Sequence, residues 1–79
     1  MSSQRRNPVR NPVSSLELRR RELGLTQAEL ASLVGVQRAE VSRYERGLLP
    51  GIAVRERIAG ALESSLSELW PGTGARPQR

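Results

Sequence analysis

Between Leu16 and Trp70 the apolar residues recur at three- and four-residue spacings, with no run of strict alternation. That is the period of helices with one buried face. Five helices can be placed. The first starts after Ser14 or Ser15 and ends near Leu23, stopped by Gly24. Leu16 and Leu23 share a face, and Arg20 falls on that same face, an odd place for a charge. The second opens with Thr26 and Glu29 as a capping box, which makes Gln27 its first residue. Leu30, Leu33 and Val34 form its inner stripe, and Gly35 ends it. The third covers about Arg38 to Arg46. The fourth runs from about Ile52 to Leu62, with Ile52, Ile58, Ala59 and Leu62 inward. Gly60 inside it costs about 1 kcal/mol relative to alanine. The fifth follows a second capping box, Ser65 with Glu68, and leads to Leu69 and Trp70, the tryptophan in the core or as a lid over it.

The expected organisation is a helical domain over residues 14–70, an arm over 1–13 and a tail over 71–79. The arm carries RNPVRNPV, whose prolines favour extended chain and bias the residues before them away from helix. The tail, PGTGARPQR, is rich in breakers. Both are expected to be flexible.

The second and third helices carry the most information. In QAELASLVGVQRAEVSRYER, counted from Gln27, Leu30 and Ala31 stand at positions four and five. Val34, Gly35 and Val36 stand at eight to ten, Val41 at fifteen and Tyr44 at eighteen. Two helices crossing through a short turn need this set: a glycine for positive φ, a small residue for close approach, and apolar plugs between.

Charge places a partner. The net excess is +5, every cation is an arginine and every acid a glutamate. Residues 1 to 21 hold six arginines against one glutamate, whereas residues 22 to 79 hold seven of each. A basic excess confined to one end suits a polyanion. Chemistry is poorly provided for. There is no cysteine, histidine or aspartate, which removes thiolate zinc sites, the usual metal ligand and the usual general base. No enzymatic activity, metal or cofactor is expected. The opening residues lack the apolar centre of a signal peptide, and no apolar run approaches the roughly 18 residues of a membrane span. A cytoplasmic chain, at the nucleoid when bound to DNA, is the expectation.

The segments GLTQAELASLVGV (24 to 36), VSRYERG (41 to 47) and ALESSLSELW (61 to 70) resemble the phage-repressor/Cro-type, or Xre, helix-turn-helix domain. The resemblance covers about Leu16 to Trp70 and implies a compact all-α, five-helix, lambda-repressor-like fold. It also implies double-stranded DNA as partner, bound with the third helix in the major groove. By the same resemblance, Gln27 meets a phosphate and Gln37, Arg38, Ala39 and Arg43 meet bases. Arg20 and Glu45 form a structural ion pair, which would account for the inward arginine.

The residue chemistry agrees with those roles. Arginine forks onto guanine O6 and N7 or pairs with phosphate, and Ala39 suits a thymine methyl or serves as a spacer. Arg46, near the helix end, is placed on phosphate, as are Arg5, Arg6 and Arg10 of the arm. Glu40 either accepts from cytosine, repels phosphate or pairs with Arg43, the last being favoured by i,i+3 spacing.

Three positions depart from the family. Gln37 is a poor N-cap, so that helix end is expected to fray without DNA. Arg55 and Glu56 stand where an apolar residue is common. Leu48 and Leu49 replace polar residues; a minor core contact is the first expectation, a patch for a protein partner the second. A repressor binding a near-palindromic operator as a homodimer is expected, because one small domain reads few base pairs. No small-molecule ligand is evident, and 79 residues leave no room for a sensor domain. An antitoxin or adaptor with a helix-turn-helix fold is the alternative.

Overall fold

The computed structural model describes residues 14–72. The arm, with Arg5, Arg6 and Arg10, and most of the tail lie outside these residues, as do the expectations about their flexibility. The described residues form five helices and no strand: α1 (Ser15–Glu22), α2 (Gln27–Val34), α3 (Arg38–Glu45), α4 (Ile52–Ala61) and α5 (Leu66–Leu69).

α1, α2 and α5 start where a side chain caps the first turn, whereas α4 follows Gly51 without a side-chain cap. The Ser14 hydroxyl accepts from the Glu17 N–H at 3.1 Å. Thr26 and Glu29 satisfy each other's backbone N–H reciprocally, at 3.0 and 2.8 Å. Ser65 and Glu68 repeat that arrangement before α5. Such reciprocal caps use donors that the first turn would otherwise leave orphaned. Gly35 ends α2 at φ +79°, in the left-handed region, and its N–H reaches the Ala31 carbonyl at 2.9 Å. A Cβ there would meet nothing within 4 Å. Backbone conformation, not crowding, is therefore what asks for glycine at the turn.

The core is Leu16, Leu30, Ala31, Val34, Val41, Ile58, Ala59, Leu62 and Leu69. Val36, Tyr44, Leu66 and Trp70 are half-buried against it. α2 packs on α3 and α4, α1 on α3 and α5, and α4 on α5. The α2–α3 pair is thus held from both sides, which leaves the outer face of α3 uncovered.

Three expected core residues are on the surface. Leu33 is 62% exposed, Ile52 is 51% exposed and Leu23 is 36% exposed. Each sits at a helix end or edge, where periodicity assigns a face but the neighbouring helix does not extend far enough to cover it. Leu48 and Leu49, 53% and 46% exposed, are likewise not core contacts. On α4, Arg55 is half-buried, its Nε buried and without a hydrogen-bond partner among the described residues, while Glu56 is exposed.

Candidate nucleic-acid interface

α3 is eight residues long, and Val41 and Glu45 are the residues it buries. Gln37, Arg38, Ala39, Arg43 and Arg46 are all exposed. Val41 and Tyr44 hold the inner side of the helix against the core. One helix of this length spans about 12 Å, at 1.5 Å per residue. Its outer surface therefore offers two arginines within the reach of a few base pairs.

The N-terminus of α3 is capped from the far side. The Glu40 carboxylate accepts from the Gln37 N–H at 2.9 Å. Among the described residues the ion pairs are Arg19–Glu22, Arg20–Glu45 and Arg21–Glu17. The Glu40–Arg43 pair favoured by sequence spacing is absent from that set. Glu40 turns back to an orphaned backbone donor instead of forward to Arg43, because the helix start supplies a fixed partial positive charge next to it. Arg43 consequently makes no side-chain hydrogen bond or ion pair among the described residues, and Arg46 donates to the Ser42 hydroxyl at 2.9 Å.

Arg20 lies on the inner face of α1, 7% exposed, and Glu45 at the end of α3 is 7% exposed. Arg20 donates from Nε to Glu45 Oε2 at 2.5 Å and from Nη2 to Glu45 Oε1 at 3.2 Å. Its Nη1 donates to the Leu25 carbonyl at 2.8 Å, tying down the turn before α2. The hydrogen bond to the Glu45 carboxylate raises the Arg20 pKa above its already high ordinary value; burial opposes this, and the charges of Glu45 and Glu17 add to it. Arg20 therefore stays charged at any pH the protein meets.

Two further bonds lead outward from this pair. The Gln27 amide donates from Nε2 to Glu45 Oε1 at 2.9 Å. Arg38 donates from Nη1 to Gln27 Oε1 at 3.4 Å. Gln27 and Arg38 thus sit together on one shallow cleft, whose lining includes Arg20, Arg21 and Thr26. Thr26, Gln27 and Ala28 at the start of α2 also line this cleft, and the N-terminus of a helix is a favourable seat for an anion. Ala39 and Arg43 share α3 with Arg38, and Gln37 and Arg46 flank it as its caps, but among the described residues none of these four makes a side-chain hydrogen bond to α2.

Sequence reasoning did not find the Gln27–Glu45 and Gln27–Arg38 contacts, which join residues eighteen and eleven positions apart. It also missed Arg19, whose Nε donates to the Leu62 carbonyl and the Ser64 hydroxyl, each at 3.0 Å, locking α1 to the turn before α5. None of these contacts has a local spacing that announces it.

A family model described as helix-turn-helix matches residues 16–69. A protein of Methanothermobacter thermautotrophicus, named as an uncharacterized HTH-type transcriptional regulator, is 50% identical over 44 residues, which make up 54% of this chain and 64% of that relative. The match therefore spans less than two thirds of the relative's length.

Proposed function

The chain belongs to the helix-turn-helix family, and from that premise we propose that it is a sequence-specific DNA-binding transcriptional regulator. It acts as a repressor, occupying a near-palindromic operator as a homodimer. The observation that carries this is the uncovered face of α3, with Gln37, Arg38, Ala39 and Arg43 exposed beside Gln27. α3 enters the major groove. Gln37, Arg38, Ala39 and Arg43 read base edges, while Gln27 and Arg46 meet phosphates and fix the register. The arm arginines, Arg5, Arg6 and Arg10, add phosphate or minor-groove contacts. Two copies on one site follow from symmetry: half-sites about one helical turn apart give each recognition helix its own groove.

The test is footprinting of purified protein on DNA flanking its own gene. Protection of one short inverted repeat supports the repressor. Failure to discriminate that DNA from random duplex, at any salt, overturns it.

A second reading has its own observation. Leu48 and Leu49 are about half exposed next to the recognition helix. An apolar pair in that position favours a protein partner, as in an antitoxin or an adaptor. Co-purification of a second protein that Leu48→Ser/Leu49→Ser abolishes, with no operator protection, would replace the repressor by this function.

A further inference from the structure

We infer that Glu45 is a positioning residue for base readout: by fixing the direction of the Gln27 amide, it places Arg38. The inference rests on the DNA-binding function proposed above and names the residue that prepares its site. Four hydrogen bonds carry it. Arg20 holds both Glu45 oxygens, so the carboxylate has a set plane. A carboxylate only accepts. The end of the Gln27 amide that faces it must then be Nε2, as found at 2.9 Å. Gln27 Oε1 is thereby turned outward, where Arg38, which only donates, meets it. With the amide reversed, oxygen would face carboxylate and NH2 would face guanidinium, two repulsive contacts in place of two bonds.

The second hydrogen on Gln27 Nε2 takes part in no bond among the described residues. It is the donor left for a phosphate oxygen. One amide thus links the ion pair, a phosphate and a base-reading arginine. The buried pair is more than a strut: replacing a buried ion pair by well-packed apolar groups often leaves stability unchanged, but here it would leave the Gln27 amide without a preferred direction.

The experiment uses the full chain and three variants: Arg38→Ala, Glu45→Gln and Gln27→Met. Arg38→Ala on duplexes with single base changes first identifies the base pair that Arg38 reads. Discrimination at that pair is then measured for the other two, against discrimination at the pair read by Arg43. The expected result is a loss of about fivefold or more at the Arg38 pair with the Arg43 pair unchanged, the size of coupling seen within one hydrogen-bond network. Gln27→Met leaves the ion pair intact and decides the matter if Glu45→Gln does not fold. A uniform loss at all positions, with Arg38 discrimination retained, overturns the positioning role. A readout without DNA separates this from failure of the DNA-binding function itself. In the free protein, Glu45→Gln, or Gln27→Met if the former does not fold, must move the Arg38 Nε–H resonance and leave that of Arg43 in place. An unmoved Arg38 overturns the relay whatever the protein binds.

Discussion

Two kinds of arginine share one small domain, and their surroundings separate them. Arg20 is buried with a carboxylate and a carbonyl as partners. Removing one member of a buried pair leaves the other charge unpaired in low dielectric. Arg20→Ala and Glu45→Ala are each expected to cost about 3–5 kcal/mol in stability. Thermal melts of both single variants and the double variant check it: the double variant should lose clearly less than the two losses added. Arg38 and Arg43 are exposed, so truncating them should leave the melting temperature nearly unchanged. On the cognate duplex each should cost about 1–3 kcal/mol and relax preference at one base position. Titration on cognate and single-base-changed duplexes reads this directly. Equal losses on specific and random DNA would assign these side chains to phosphates.

At the scale of elements, helix ends and one weak helix interior matter most. α4 contains Gly60, exposed and with nothing within 4 Å of where a Cβ would lie. Its φ is not positive, so alanine fits the existing backbone. Gly60→Ala is expected to stabilise the domain by about 0.5–1 kcal/mol, raising the melting temperature by several degrees. Gly35→Ala has equal space but sits at φ +79°. It should destabilise by about 1–2 kcal/mol. Opposite signs for two glycine-to-alanine changes in one protein would separate backbone conformation from crowding; a stabilising Gly35→Ala would refute the account given of the α2–α3 turn. α3 itself begins with Gln37, whose N–H is satisfied only through Glu40.

For the whole molecule, the distribution of charge matters more than its total. Residues 22 to 79 are balanced between seven arginines and seven glutamates, and the excess of +5 belongs to residues 1 to 21. Each phosphate neutralised adds about 0.9 to the slope of log affinity against log salt. Deletion of residues 2 to 10 removes Arg5, Arg6 and Arg10, and should flatten that slope by roughly two to three units on any duplex. A salt titration of full-length and truncated protein on the same DNA measures it. Overlapping curves would show that these arginines do not touch the nucleic acid.

Local rules settled much of this protein. The caps at Thr26–Glu29 and Ser65–Glu68, the stop at Gly35 and the three- and four-residue apolar spacing are satisfied by neighbours in sequence. Helix positions and the helix-turn-helix pattern were legible for that reason. Which apolar residues are covered was not, because periodicity defines a face but not the length of the partner that lies on it. Leu33 and Ile52 are outside for this reason. Glu40 was misplaced because two local partners, Arg43 and the Gln37 N–H, compete for one carboxylate, and spacing alone does not weigh them. The link from Arg20 through Glu45 and Gln27 to Arg38 draws on α1, α2 and α3. Only the packing of those three helices brings an acceptor, an amide and two guanidinium groups into line, so only the tertiary structure decided it.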